Sequence, residues 1–180
     1  MRIISGKYKG KRLTAPKKLP VRPTTDMAKE GLFNILNNRF HIGELKVLDL
    51  FAGTGNISFE FASRGAVEII SVDSFTGCVQ YISKITKELS FPISVIKSDV
   101  FKYLERSKQK TNIVFGDPPY SFEDDKFYKI VDLVFEKELI LEDGLLILEH
   151  SDQTDLSKNP YFKESRKYGG SVFSFFEKDQ

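Results

Sequence analysis

The sequence predicts an α/β sandwich around a mostly parallel seven-stranded sheet that ends in an antiparallel hairpin. Short apolar runs alternate with amphipathic segments from Lys46 to His150, a Gly-x-Gly turn follows the first run, and two aromatic-rich runs flank Gly169-Gly170. Val47-Leu48-Asp49-Leu50-Phe51 reads as a buried strand, residues 56–64 as a helix, and Val67 to Val72 as a second strand ended by Asp73. A helix over 75–88 leads to a third strand, Ile93 to Lys97, closed by Ser98-Asp99. A short helix over 100–107 precedes the fourth strand, Thr111 to Gly116, and a helix over 125–137 precedes the fifth, Gly144 to Glu149. Tyr161–Tyr168 and Ser171–Phe176 supply the hairpin, whose aromatic residues read as sheet core. Upstream, Thr24-Thr25-Asp26 offers an N-cap and a first-turn acid, and Ala28, Leu32, Ile35 and Leu36 recur at helical spacing, so a helix is predicted over 26–39. Gly31 weakens that helix.

With 180 residues, 41% of them hydrophobic and 29% charged, the chain reads as one soluble domain. No apolar run reaches the roughly 18 residues of a membrane helix, and the apolar part of Met1-Arg2-Ile3-Ile4-Ser5-Gly6 is too short for a signal peptide. One cysteine, Cys78, excludes an internal disulfide, and two histidines, His41 and His150, argue against a dedicated metal site. His150 reads as a core or surface histidine and His41 as a loop residue. A cytoplasmic protein is expected.

The net charge of +2 hides an asymmetry. Residues 1–22 hold eight bases and no acid, leaving 19 bases against 25 acids, a net of −6, in the remainder. Arg2, Lys7, Lys9, Lys11, Arg12 and Arg22 therefore point to a polyanionic partner. Lys7-Tyr8-Lys9-Gly10-Lys11-Arg12-Leu13, with Ile3-Ile4, reads as two short strands joined at a glycine, presenting lysines with an aromatic between them for phosphate contact and stacking. The chain divides accordingly into a basic hairpin arm and loop over 1–22 and a main domain over 23–180.

Ligands of a parallel α/β sheet collect at the carboxyl ends of its strands. Asp49 lies in the first strand, and Gly53-x-Gly55, Asp73, Asp99 and Asp117 fall at the ends of strands one to four. Glycines let a ligand approach the backbone, and the helix amino end beyond them offers N–H donors. Asp73, eighteen residues past Gly55, suits ribose hydroxyls. A dinucleotide is one candidate, but Ser58 stands where the third glycine of its fingerprint belongs. At the fourth strand, Asp117-Pro118-Pro119-Tyr120 forms a stiff turn, because two prolines fix two φ angles and hold Pro118 extended. A carboxylate and a carbonyl there can accept from an amino group while the tyrosine ring stacks on a flat molecule.

Asp49 with Phe51-Ala52-Gly53-Thr54-Gly55 resembles the loop of S-adenosylmethionine-dependent methyltransferases, which places the acid at the methionine ammonium. Asp73-Ser74 then matches their ribose position, and Asp99-Val100 resembles their adenine-binding pair. The Asp117-Pro118-Pro119-Tyr120 turn is similar to that of the amino-methyltransferases. Arg2 to Leu13, Arg22-Pro23-Thr24-Thr25-Asp26 and Lys29-Glu30-Gly31-Leu32-Phe33-Asn34 resemble the RsmD-type family, which methylates guanine N2 in bacterial 16S rRNA. Ser5, Gly31 and Ser74 depart from its usual pattern, and Gly31 is expected to loosen the first helix.

The resemblance implies a Rossmann-like methyltransferase fold, S-adenosylmethionine as cofactor, and a monomer acting on 16S rRNA or a small-subunit assembly intermediate. The same turn occurs in adenine-N6 methyltransferases, but a 180-residue chain leaves no room for their target-recognition region. A binding module with a vestigial core is the other alternative, against which the intact strand-end acids speak. Cytosine-C5 chemistry needs a thiolate, and Cys78 is expected in the helix after the second strand, buried or neutral and away from the proline turn.

Overall fold

The computed structural model describes residues 1–179. Helix α1 spans Asp26–Arg39, followed by a 3-10 turn at Ile42–Glu44 and strand β1, Lys46–Asp49. Then come α2 (Asn56–Ser63), β2 (Glu68–Asp73), α3 (Thr76–Leu89), β3 (Ile93–Lys97), α4 (Val100–Arg106) and β4 (Thr111–Gly116). Helix α5 (Asp124–Glu136), β5 (Ile140–His150), β6 (Phe162–Tyr168) and β7 (Ser171–Phe176) complete the chain. The sheet order is β3-β2-β1-β4-β5-β7-β6, with β1 to β5 parallel and β7 antiparallel to both neighbours. The expected α/β sandwich with its terminal hairpin is therefore present. Two apolar layers cover the sheet: Leu32, Phe33, Phe61 and Phe115 belong to one, and Leu48, Val114, Ile130 and Val134 to the other.

Local chemistry sets the boundaries. Thr25 caps α1, its hydroxyl accepting from the Ala28 N–H at 3.2 Å, a contact worth about 1 kcal/mol. Strand β1 ends at Asp49, because Leu50 and Phe51 already belong to the glycine turn. Strand β5 begins four residues earlier than the sequence suggests. The pairing jumps from Thr111↔Ile140 to Ile113↔Leu145, and Asp143 takes φ 62°, so a bulge sits just before the expected start at Gly144.

The amino-terminal hairpin is a correction. Its two expected strands reduce to a single antiparallel bridge, Arg2↔Arg12, flanked by the Ile3 N–H donating to the Lys11 carbonyl at 2.9 Å and the Leu13 N–H to the Met1 carbonyl at 3.0 Å, and the segment bonds to α2 as well. The Ile4 and Ser5 N–H groups donate to Glu60 at 2.9 and 3.0 Å, and the Lys7 N–H donates to the Ser63 carbonyl at 2.7 Å. Ile3 and Leu13 are buried in the same apolar layer as α1. Tyr8 is not a stacking platform: its ring meets Phe91 edge-on at 5.3 Å, and its hydroxyl donates to the Leu89 carbonyl.

Candidate active site

The sheet changes winding direction between β1 and β4, which are hydrogen-bonded neighbours with their crossovers running to opposite sides. Connections diverge there, and the crevice beyond the strand ends is where such sheets hold ligands. A cleft of about 700 Å³ opens at that point, bounded by Asp49, Gly53, Asp73, Asp99 and Asp117. Phe51, Ala52, Thr54, Ser74, Val100, Pro118, Pro119 and Tyr120 also line it. The structure thus brings together the predicted cofactor and catalytic positions, with one exception.

Gly55 does not line the cleft. Its φ of 80° marks the start of α2, and a Cβ there would lie 2.7 Å from the Phe59 ring. Gly55 is required for close packing, whereas Gly53, at φ 57°, shapes the turn facing the cleft.

Asp49 is buried, and its Oδ2 accepts from the Ser58 hydroxyl at 2.7 Å. Its Oδ1 has no hydrogen-bond partner among the described residues. Burial raises its pKa to about 7, with Ser58 opposing and Asp73 adding to the rise. A buried carboxylate oxygen without a donor beside an open cleft fits a ligand ammonium. Asp73 is held by the N–H groups of Gly53 and Phe75, each at 2.8 Å. Each oxygen keeps a lone pair for a ribose hydroxyl. Asp99 caps α4, one oxygen accepting from the Lys102 N–H at 3.0 Å.

In the proline turn the Pro119 carbonyl accepts from the Phe122 N–H at 2.9 Å, which folds Tyr120 outward to 74% exposure. Burial pushes the Asp117 carboxyl well above its ordinary range, and the charges of Glu149 and then Asp49 push it further. Phe122 lies parallel to Phe101 at 6.1 Å and edge-on to Phe51 at 5.4 Å, forming an aromatic wall.

Sequence reasoning missed several residues here. Glu149, at the end of β5, accepts from the Thr24 hydroxyl at 2.6 Å. The strand-end rule that found the other acids would also have found this one. Phe101 and Phe122 carried no signal beyond their nearness to Asp99 and Asp117. Pro20 to Thr24 also line the cleft, although the sequence marks only Arg22 among them as functional. Cys78 lies buried in α3, the helix after β2, as expected, and it lines the cleft on the side of Asp73. Burial, then Asp73, pushes its thiol up to about 11, so it stays protonated near neutrality. His150 is fully engaged, with Nδ1 facing the Ser151 carbonyl and Nε2 facing the Ser174 hydroxyl, each at 2.7 Å. Burial lowers its pKa.

Of the basic residues, Arg22 lines the cleft. Arg2 and Arg12 share a rim with Asp26, to which Arg2 is bonded at 3.1 Å. Lys7, Lys9 and Lys11 sit by the carboxyl ends of α2 and α3, through the contacts to Ser63 and Leu89. Both helices run against the strands, so these lysines occupy the end of the sheet opposite the cleft.

Sheet order, glycine turn and strand-end acids define a Rossmann-like methyltransferase of the S-adenosylmethionine-dependent class. The chain belongs to the family described as "Conserved hypothetical protein 95", whose model matches residues 1–177. It is 35% identical over 161 residues to "Putative rRNA methyltransferase YlbH" of Bacillus subtilis, covering 87% of this chain and 85% of that one. It is 29% identical to "Ribosomal RNA small subunit methyltransferase D" of Escherichia coli, covering 89% and 79%. Among solved structures, "Putative methyltransferase yhhF" from Escherichia coli superposes with a TM-score of 0.85 at 27% identity, covering 98% and 96%.

Proposed function

We propose that this chain transfers a methyl group from S-adenosylmethionine to the exocyclic N2 of one guanine in bacterial 16S rRNA. The observation that carries the reading is the Asp117-Pro118-Pro119-Tyr120 turn beside a cleft whose buried Asp49 has an open acceptor. The names of the curated relatives support rRNA as the substrate, and the RsmD-type motifs of residues 1–34 support guanine N2. Asp49 holds the methionine ammonium, Asp73 the ribose hydroxyls, and Asp99 with Val100 the adenine edge, with the turn from Phe51 to Thr54 and Ser74 around them. When bound, S-adenosylmethionine supplies an electrophilic methyl carbon on a sulfonium sulfur.

The protein's part is to place and unmask a nucleophile. The guanine leaves its stack and lies against Tyr120. Asp117 and the Pro118 carbonyl accept from the two N2 hydrogens, which draws the nitrogen lone pair out of ring conjugation and aims it into the cleft. Positioning of this kind supplies several kcal/mol of a barrier. The N2 proton passes to Asp117 or to water, and Pro119 keeps the turn rigid. Arg22 contacts phosphate at the cleft mouth, and Arg2, Arg12, Lys7, Lys9 and Lys11 continue the contact as the arm of a 1–22/23–180 division. The chain acts as a cytoplasmic monomer on 16S rRNA, either free or within a small-subunit assembly intermediate.

Incubation with methyl-labelled cofactor and unmethylated small-subunit RNA tests this. Label should enter the RNA with the wild type, and Asp117→Ala should lower turnover roughly 100-fold or more while keeping cofactor affinity within about threefold. Cofactor binding without any transfer to this RNA, free or in small-subunit particles, would overturn the substrate, and no cofactor binding at all would favour a vestigial core.

A further inference from the structure

Glu149 has no part in the steps above, yet it stands one strand from Asp117. Pairing of β4 with β5 runs through Gly116↔Leu148, so Asp117 and Glu149 are the next positions on neighbouring strands, whose backbones lie about 4.8 Å apart. Both line a second, smaller recess together with Tyr120 and Pro118. The proline turn borders that recess and the main cleft alike. Glu149 is buried and fixed, its Oε2 accepting from Thr24 at 2.6 Å. Burial pushes its carboxyl up while the hydroxyls of Thr24 and Ser171 hold it down, and among the described residues no cation pairs with it. An acid buried without a cation costs stability, so a ligand donor is its natural partner.

The guanine edge next to N2 offers that donor. Guanine presents N1–H beside its two N2 hydrogens, so three donors face Asp117, the Pro118 carbonyl and one further acceptor. Adenine presents two N6 hydrogens and then the N1 lone pair, which a carboxylate repels. We propose that Glu149 accepts the guanine N1–H and is the residue that sets guanine over adenine. The inference rests on the reading of this site as a guanine-N2 methyltransferase.

The test compares small-subunit RNA carrying guanine or 2-aminopurine at the methylated position. 2-Aminopurine keeps the 2-amino group but has a lone pair at N1 and no O6. The wild type should use it roughly 100-fold less well in kcat/KM. Glu149→Gln, whose amide can donate to that lone pair, should narrow the ratio to about tenfold or less. The missing O6 is common to both enzymes and cancels between them. Glu149→Asp, which keeps the charge but withdraws it by one methylene, is the second variant, and covers the case in which Glu149→Gln fails to fold. It should lower guanine use about tenfold and leave 2-aminopurine use unchanged. A wild type that uses both bases alike, or variants that lose both in proportion, would overturn the role of Glu149. A wild type that methylates no guanine at all would remove the functional reading itself, and the inference with it.

Discussion

Asp49 concentrates the electrostatics of the cofactor site in one side chain. A carboxyl titrating at about 7 is largely protonated below that pH and then cannot attract an ammonium. Cofactor affinity should therefore fall roughly tenfold between about pH 7.5 and about pH 6. Calorimetric titration should show this for the wild type and a flat, weaker profile for Asp49→Asn. The same raised value acts on folding with the opposite sense. Because the folded carboxyl binds its proton more tightly than the unfolded one, its contribution is full below the unfolded pKa and is lost as pH rises to about 7. Apo-protein melting should lose part of its decline across that window in Asp49→Asn. In the proposed reaction the raised Asp117 value has a consequence, since a protonated carboxyl accepts from N2 only weakly and cannot take its proton. Turnover should fall on acidification well before an ordinary carboxylate would titrate. The strand-end acids were legible in the sequence because parallel strands announce themselves by apolar continuity and each acid closes one. Glu149 obeys the same rule, one residue before His150 in Leu148-Glu149-His150. Partners such as Thr24, 125 positions away in sequence, are set by packing and leave no local trace.

At the scale of elements, the amino-terminal segment shows how a basic motif can be structural. Lys29 is buried against Glu60 at 3.2 Å, and its Nζ also donates to the Arg2 carbonyl at 2.6 Å and to Asn56 at 2.8 Å. Glu60 in turn accepts from Arg64 and from the Ile4 and Ser5 N–H groups. Burial lowers the Lys29 pKa, and Glu60 pulls it back up. This network docks residues 1–13, with their Arg2↔Arg12 bridge, on α2. No periodicity encodes it, because a buried lysine looks like a surface lysine in a sequence. Gly6 seals the dock: its φ is 86°, and a Cβ would lie 1.9 Å from the Ser63 carbonyl oxygen. Gly6→Ala should cost about 2–4 kcal/mol, read as a lower denaturant midpoint. Gly31 is the converse case. It does not loosen α1 for nothing, since a Cβ there would sit 2.3 Å from the Tyr168 ring of β6. Gly31→Ala should destabilise the wild type, whereas in a Tyr168→Ala background the helix preference should emerge as a gain of about 0.5–1 kcal/mol. Additive effects in that cycle would contradict the account.

At the scale of the molecule, the sheet order and the charge asymmetry act together. The reversal of winding between β1 and β4 places the cleft; the regular alternation of strands and helices made the parallel sheet legible, but not the order of its strands. The distribution of the basic residues was not legible either. Arg22 stands at the cleft, while Lys7 and Lys9 lie beyond the far end of α2, an eight-residue helix roughly 12 Å long. A phosphate backbone meeting both must run along that flank. Arg22→Glu should raise KM for RNA with little change in cofactor affinity, whereas Lys7→Ala with Lys9→Ala should chiefly reduce the salt dependence of RNA binding, by about 0.7–0.9 per lost contact. The central claim is the identity of the acceptor atom. Mass spectrometry of nucleosides from unmethylated small-subunit RNA, digested after incubation with the enzyme and methyl-labelled S-adenosylmethionine, measures it most directly. The account predicts label in N2-methylguanosine alone, and label in N6-methyladenosine would contradict it.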